Sequence, residues 1–448
     1  MNQANRTTFS ALALGIAGVL AMGQAEASGF QLKENSVKGM GAAFGGSGVN
    51  TGDSSVVVNN PATMTQFEGT TVQSDVTVID LSYQFEGSGT DALGQPLSGG
   101  DGGNAGDITP VPALSVIHKL DNGLALGAMV SAPFGLKTEY DDGWMGRYYA
   151  HTSDVKIVDL TLSAAVDIVP DVLSVGIGAI YSRADVTLSK SVDFGTLLFA
   201  NPATNPLPFA RPQAADGFAE VSGEDNGFGW LVGVNLRPSD KFAIGLSYRS
   251  EIDYDLEGSV DWTVPANVQA VLGASPMTSP LFRDGDVTAA LTTPSVLSLA
   301  ARYDISDRFA VMGSWSETGW SSLREVRINF VNPDPDSVEP FDWKDTEFVS
   351  LGAEYKLNDA WTLRGGAAFD ETPTSIESRT PRLPDDDRTW YSIGATWQLS
   401  EAMEVSFAVT HIKPDAPRVD IADNQGHRLT GPFDGDANLY GISGQYRF

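Results

Sequence analysis

From residue 70 onward, the chain breaks into segments in which apolar residues alternate with polar or small ones. The last segment is the clearest, because Tyr440 and Ile442 fall on one side of an extended strand while Ser443 and Gln445 fall on the other. A period of two predicts β-strands and an all-β fold. Alternation alone does not separate a soluble sandwich from a membrane barrel, which shows its apolar face to lipid.

The connections between the segments separate these two architectures. Short turns such as Val169–Asp171 and Ser400–Ala402 alternate with long loops such as Ser189–Asn226 and Gly258–Thr293. Short periplasmic turns and long external loops on an even number of strands are typical of bacterial outer-membrane barrels. Residues 70–448 therefore predict a 14-stranded antiparallel transmembrane β-barrel. Its strands are centred near Val76, Leu114, Ala128, Leu160, Gly178, Val232, Leu246, Leu299, Val311, Leu351, Gly365, Ile393, Phe407 and Ile442.

The first 27 residues have the features of a secretory signal peptide. Arg6 gives a basic start, and the apolar stretch Ala11–Met22 is too short to span a membrane as a mature helix. Ala25–Ala27 offers a small-x-small cleavage site. An exported chain with this alternation predicts a location in the outer membrane of a Gram-negative bacterium.

Residues 28–69 do not alternate and are rich in glycine. Asn60 and Pro61 predict a helix start, with Asn as N-cap and Pro at the first helical position. The apolar residues of this segment disfavour a disordered periplasmic tail. We therefore predict an N-terminal hatch, a plug folded inside the barrel lumen.

The composition argues against several function classes. The chain has no cysteine, which disfavours zinc ribbons and thiol catalysis, and its four histidines lack metal-ligand spacing. A net charge of −29 disfavours nucleic acid as a partner, because phosphate binding needs a basic surface. We expect neither an enzyme nor a cofactor or metal. We interpret the acidity as solvated loops, with divalent-cation bridging to lipopolysaccharide as the alternative.

A series of short motifs runs along the mature chain in a specific order. They are Ser28–Leu32, Gly39–Gly41, Asn60–Ala62, Ser131–Leu136, Trp144–Tyr148, Trp343–Thr346, Leu363–Gly366, Phe369–Pro373 and Leu383–Arg388. Together they resemble the FadL family, the outer-membrane transporters of long-chain fatty acids and aromatic hydrocarbons. The resemblance implies fourteen strands, a hatch that closes the lumen, capture of ligand by external loops, and lateral release through the wall without a coupled energy source.

The predicted function is passive uptake of hydrophobic compounds, foremost long-chain fatty acids. The alternatives are uptake of neutral aromatics or alkanes by the same route, and a general porin or adhesion barrel. The hatch, with Asn60, Pro61 and Ala62, argues against an open porin. We expect a monomer in contact with outer-membrane lipid and lipopolysaccharide. Phe448 ends the last strand, as expected for recognition by the barrel assembly machinery.

The third strand contains the predicted lateral gate. Pro133 has no N–H to donate, and Gly135 weakens pairing and permits an inward bend. The family's wall opening falls on the stretch that contains Pro133, Phe134 and Gly135. An interrupted strand in lipid needs the hatch, water or ligand to satisfy its backbone. Alternatively, the strand ends at Ala132 and Pro133 opens the loop.

Four positions are candidates for ligand contact. Phe30 matches the family's N-terminal aromatic that reaches the inner pocket, although it also suits hatch packing. Lys344 matches a ligand-binding lysine of the family. The family's companion arginine falls at Leu188, which is a departure, and Lys190 could substitute from the same strand face. If neither lysine faces the pocket, a neutral hydrocarbon becomes the better ligand.

The two longest loops carry apolar clusters that could capture ligand. The alternative is that these clusters pack on each other and order the loops. The candidate capture residues are Leu197, Leu198, Phe199, Val271 and Leu272.

Overall fold

The computed structural model describes residues 28–448, so the predicted signal peptide lies outside the described residues. Between residue 28 and the first strand, the structure has three short helices, α1 (Val37–Met40), α2 (Val56–Asn59) and a 3-10 helix (Pro61–Gln66). Two further α-helices, α3 (Phe194–Ala200) and α4 (Ala266–Leu272), lie in long loops, and a 3-10 turn covers Trp320–Ser322. No described helix is long and apolar enough to cross a membrane.

Twenty strand segments follow the hatch in chain order. They are β1 (Thr70–Phe85), β2 (Ser88–Thr90), β3 (Ile108–Lys119), β4 (Ala125–Glu139), β5 (Thr152–Val169), β6 (Leu173–Asp193), β7 (Asp216–Ser239), β8 (Phe242–Arg249), β9 (Ile252–Thr263), β10 (Gly285–Thr293), β11 (Val296–Asp304), β12 (Phe309–Thr318), β13 (Glu325–Phe330), β14 (Ser337–Pro340), β15 (Thr346–Lys356), β16 (Trp361–Asp370), β17 (Arg388–Gln398), β18 (Met403–Pro414), β19 (Arg418–Ala422) and β20 (Arg428–Arg447).

These segments build fourteen wall strands. The pairs β8 with β9, β10 with β11, β12 with β13, and β14 with β15 each form one interrupted strand, because both halves of a pair meet the same neighbouring strand. The short strands β2 and β19 extend β20 beyond the wall. β1 pairs with β20 and closes the barrel. The predicted fold, a closed antiparallel barrel of fourteen strands, is confirmed.

The two faces of the wall have the polarity of a membrane protein. Leu351 and Ile393 point outward and are 71% and 68% exposed. Gln73, Thr77 and Ser350 point into the lumen and are buried. A soluble sandwich would have the opposite arrangement, since its apolar face makes the core. The exposed apolar band fits lipid.

Glycines on the inner face let the hatch backbone touch the wall. A Cβ at Gly245 would lie 2.1 Å from the Gly48 carbonyl oxygen, and one at Gly366 would lie 2.3 Å from that of Ala42. No side chain fits at such a distance. Much of the glycine in the strands is therefore needed where the hatch packs against them.

Short turns and long loops alternate as predicted, but several of the loops are shorter than predicted. β6 runs to Asp193 and β7 starts at Asp216, so the loop predicted at Ser189–Asn226 shrinks to 194–215. The loop predicted at Gly258–Thr293 shrinks to 264–284. These strand ends project beyond the apolar band, where no lipid imposes alternation, so the sequence pattern is lost before the strand ends.

Candidate functional site: a wall window between two cavities

β4 is irregular where the lateral gate was predicted. The ladder with β5 shifts register between Ser131 and Phe134, and one extra residue bulges on β4. β4 nevertheless continues to Glu139, so the alternative in which the strand ends at Ala132 is wrong. Pro133 has no N–H to lose, which is why a bulge is tolerated at this point.

Above this bulge, the wall has a window between β3 and β4. Their ladder extends upward only as far as the pair Leu114 and Val130. The next backbone hydrogen bond across the gap runs from Glu139 N to Ala105 O and is 3.0 Å long. Between these two points, the wall strand that pairs with β4 is β5 and the one that pairs with β3 is β1, while the hatch meets the other side of β4.

The β3 edge of the window lacks free backbone donors. The Asp107 carbonyl accepts from Leu81 N at 3.2 Å, so odd residues of β3 direct their backbone groups to β1 and even residues direct theirs to the window. Pro110 and Pro112 are even residues without an N–H, and Ile108 N donates to the Asp107 side chain at 2.7 Å. Each unsatisfied backbone group in lipid costs several kcal/mol, so this edge is suited to remain unpaired.

The hatch satisfies the β4 edge of the window. Leu32 N donates to Pro133 O at 2.7 Å, and Gly135 N donates to Phe30 O at 2.7 Å. Residues 30–32 of the hatch therefore act as a short substitute strand beside the predicted gate residues. A movement of Phe30–Leu32 would free both of these β4 groups.

Phe30 lies in an aromatic cluster with Phe134, Trp320 and Trp343. Its ring centroid is 4.9 Å from that of Trp320 and 5.9 Å from those of Phe134 and Trp343. Trp320 is fully buried and Trp343 nearly so. The aromatic cluster joins the hatch, the kink of β4 and the loop before β15. Phe30 thus packs in the hatch and also meets the gate.

The outer cavity, of about 790 Å³, opens among the long loops. Leu188 and Lys190 line it, together with the predicted capture residue Leu197. Its charged lining has two cations, Lys190 and Arg382, and six acids. The six are Asp334, Asp336, Glu339, Glu377, Asp420 and Asp423.

The two predicted lysines have different positions. Lys190 faces the outer cavity but lies 3.3 Å from Glu339 in an ion pair. Lys344 is exposed and lines neither the outer nor the inner cavity. Trp343 packs in the buried position beside Phe30, and the next residue, Lys344, is exposed to solvent. The structure therefore places Lys344 outside the linings of both cavities.

The inner cavity, of about 130 Å³, lies next to the hatch and the β4 kink. Leu32 and Lys33 line it from the hatch, and Pro133 and Phe134 from β4. Arg249, the last residue of β8, also lines the inner cavity. The space holds roughly one benzene-sized group.

The apolar loop residues mostly pack on each other. Leu198, which is buried, packs in one cluster with Val271 and Leu272, while Leu197 is 38% exposed and faces the outer cavity. Phe199 packs under the Arg211 guanidinium, with 5.4 Å between that group and the ring centroid. Of the two roles considered for these loops, mutual packing accounts for most of the set.

Contacts of the buried His427 ring hold together the loops above the outer cavity. The His427 ring contacts Asp423 at 2.7 Å and Asp193 at 3.2 Å, and stacks on Tyr148 with centroids 4.1 Å apart. Burial alone would lower the pKa of His427, but its hydrogen bonds to Asp193 and Asp423 outweigh burial and raise the pKa to about 9. The ring is therefore charged at neutral pH.

The hatch motif has the predicted start geometry. The Asn60 side chain accepts from Ala62 N at 3.2 Å, Pro61 begins the helix, and the helix is of the 3-10 type. The Asn60 amide also donates to Val234 O at 3.1 Å, and Ser174 Oγ donates to Ala62 O at 2.8 Å. The motif thus fastens the hatch to β6 and β7. Within residues 28–448, no group of acidic or histidine side chains has metal-site geometry.

Several site residues were missed from the sequence. Pro110 and Pro112 could have been found, because proline in an alternating strand signals an unpaired edge. Arg249 and Trp320 carry no such local signal, since they lie in segments distant in sequence from the hatch. The ion pair of Asp107 with Lys137 across the top of the window likewise depends on tertiary structure.

Comparison with known proteins gives consistent matches. Residues 18–448 match the family model described as "Outer membrane protein transport protein (OMPP1/FadL/TodX)". Outer membrane protein P1 of Haemophilus influenzae is 29% identical over 98% of this chain and 99% of its own length. A long-chain fatty acid transport protein of Salmonella typhi is 28% identical over 99% of both chains.

Solved structures share the fold. A FadL homologue of Pseudomonas aeruginosa superposes with a TM-score of 0.88 and 24% identity, over 94% of this chain and 100% of its own. The toluene transporter TbuX of Ralstonia pickettii gives a TM-score of 0.66 and 18% identity, over 93% and 99%. At these low sequence identities, the structural similarity is evidence for a shared fold.

Proposed function

This chain belongs to the OMPP1/FadL/TodX family of outer-membrane transport proteins, and from that premise we propose that it takes up long-chain fatty acids passively. Ligand collects in the outer cavity, passes the aromatic cluster when the hatch rearranges, and leaves sideways through the window into the membrane. The coarser function, outer-membrane transport of hydrophobic compounds, is that of the family.

The window carries this proposal. An unpaired edge within lipid is costly, yet β3 has proline at two of its window-facing positions and β4 is satisfied by the hatch. Such an arrangement favours a preformed exit that the hatch closes. Movement of the hatch residues that pair with Pro133 and Gly135 would open the exit and the aromatic cluster together, because Phe30 takes part in both.

Fatty acids are favoured by the names of relatives such as the Salmonella typhi protein. Neutral hydrocarbons are the second candidate. The observation in their favour is that Leu188 stands where the family's arginine is expected, while Lys344 is exposed. An open porin is disfavoured, because the hatch packs backbone to backbone against the wall.

The test removes the bulge without changing the neighbouring register. Deleting Pro133 places Ala132 opposite Val158 and makes the β4–β5 ladder continuous. A cell that lacks its own transporter should then take up radiolabelled oleate at least tenfold more slowly. The matched control deletes Ile168, the extra residue of a second bulge, on β5. Heat-modifiable gel mobility checks that both barrels fold.

The deletion of Ile168 should leave uptake unchanged. If the folded Pro133 deletion imports oleate at the unmodified rate, lateral exit at this window is wrong. A large, steady ion current through the intact protein in a planar bilayer would instead support a porin.

A further inference from the structure

The charged residues that line the inner cavity are both basic, although the protein as a whole is acidic. The chain carries a net charge of −29, yet Lys33 and Arg249 line this cavity and, among residues 28–448, no Asp or Glu does. Hydroxyl groups also surround it. They belong to Ser47, Ser131, Ser247, Ser298, Ser314 and Ser316. Asp159 pairs with Arg249 at 2.7 Å but does not line the cavity, so the lining itself presents two cations and hydroxyl groups, which suit an anion.

Arg249 has hydrogen-bonding capacity to spare. Its Nη1 donates to the buried Asp159 at 2.7 Å, and its side chain is 14% exposed. Its Nε and Nη2 are enclosed and, within the described part of the chain, have no hydrogen-bond partner. Its guanidinium also lies 5.8 Å from the ring centroid of Phe134, at the gate. Enclosed charged donors are costly to leave unsatisfied, so they favour an acceptor.

Lys33 supplies the second cation from the hatch. Its Nζ lies 4.2 Å from the ring centroid of Phe348 and donates to Gln31 Oε1 at 3.3 Å. Among residues 28–448 the structure gives Lys33 no direct ion pair, and Asp370 and Glu34 act on its charge from a longer distance. A lysine that travels with the hatch would link the charge of the ligand to hatch position.

The remaining wall of the inner cavity points to an apolar tail. Leu32, Pro133 and Phe134 line the cavity on the side of the window. A space of about 130 Å³ holds a headgroup and a few methylene groups, not a whole long chain. The rest of such a chain has an apolar way out through the window.

Resting on the proposed function, we infer that the inner cavity is a carboxylate site for amphipathic ligands, with Arg249 and Lys33 as the specificity-determining residues. Fatty carboxylates bind with the headgroup between these cations and the tail toward the window. Neutral hydrocarbons lack the group that the cavity is built to bind. Selection by charge therefore occurs at the exit and not at the loops.

The test compares oleate with oleyl alcohol, which has the same chain and no charge. Binding to the full mature protein in lipid nanodiscs is followed by tryptophan fluorescence, since Trp315 lines the inner cavity. One variant is Lys33→Met. The other combines Arg249→Gln with Asp159→Asn, so that no buried carboxylate loses its partner. The control is Arg183→Gln, an exposed wall arginine paired with Glu224.

Each cavity variant should weaken oleate binding about tenfold or more, as expected for a lost charge-assisted hydrogen bond, and change oleyl alcohol binding less than twofold. The control should change neither. Equal losses for both ligands, or no loss for oleate, would overturn the inference and leave the transport proposal standing. If the unmodified protein binds neither ligand, the proposed function fails as well. Should the Arg249 variant not fold, the Lys33→Met result decides.

Discussion

The outer and inner cavities differ in both size and charge. The outer cavity has about 790 Å³ and a lining with six acids and two cations. The inner cavity has about 130 Å³, two cations and, in the described chain, no acid. A large, acidic, partly apolar entrance suits capture by hydrophobic contact. A small cationic space suits recognition of one charged group. On the proposed route, capture and selection of the ligand therefore take place in different cavities.

A substitution in the aromatic cluster, which lies on the proposed route between the two cavities, should have the largest effect, a loss of folding stability. Trp320→Ala removes a fully buried ring from the aromatic cluster, and such a truncation costs about 3–5 kcal/mol. Urea unfolding in detergent micelles measures the loss. Trp230→Ala, at a half-exposed tryptophan on the lipid face, is the control. Equal losses for the two variants would show that the aromatic cluster is not a packed barrier.

The loops above the outer cavity should depend on pH through His427. Its folded pKa of about 9 exceeds the ordinary 6.5, a difference on the order of 3 kcal/mol. A raised pKa means that this stabilisation is complete below pH 6.5 and is lost as the pH rises through 9. The protection factor of residues 194–215, which is the intrinsic exchange rate divided by the observed rate at the same pH, should therefore fall between these values. His427→Gln should remove this fall in protection; if it persists, another group is responsible.

The acids of the outer cavity should slow the entry of anions. Glu339→Gln removes one of them, and the association rate of oleate should rise about two- to fivefold, with no change for oleyl alcohol. Stopped-flow fluorescence of Trp262, which lines the outer cavity, follows this step. Glu220→Gln, outside the lining, serves as the control. A slower rate for oleate would mean that Glu339 helps capture.

Lys190→Met should have the smallest effect. Its charge is opposed by Glu339 and by the other acids of the lining, so oleate affinity should change less than twofold. Titration of oleate into the nanodisc-bound variant measures it. A tenfold loss would move carboxylate recognition to the outer cavity and remove the contrast between the two regions.

The architecture could be predicted from the sequence because its signals are local. Lipid on one face and a packed lumen on the other impose alternation along every wall strand. The N-cap of Asn60 and the ring of Pro133 determine the backbone conformation of their own sequence neighbours. The loop bounds could not be predicted as well, since β6 and β7 continue where no lipid enforces a pattern.

The site was less predictable because its residues meet only in the folded lumen. Lys33, Arg249 and Phe348 lie far apart in the sequence, and each looks like an ordinary wall or hatch residue there. The direction of Lys344 depends on Trp343 taking the buried place beside it. Family resemblance pointed to the region of the proposed gate, but not to the cations that line the inner cavity.

The most direct measurement is a crystal structure of the protein with 2-bromohexadecanoate, whose bromine sits next to the carboxylate and can be located by anomalous scattering. The bromine is predicted in the inner cavity, beside Arg249 and Lys33, with the chain directed to the window between β3 and β4. A bromine found only in the outer cavity, beside Lys190, would contradict selection at the inner cavity.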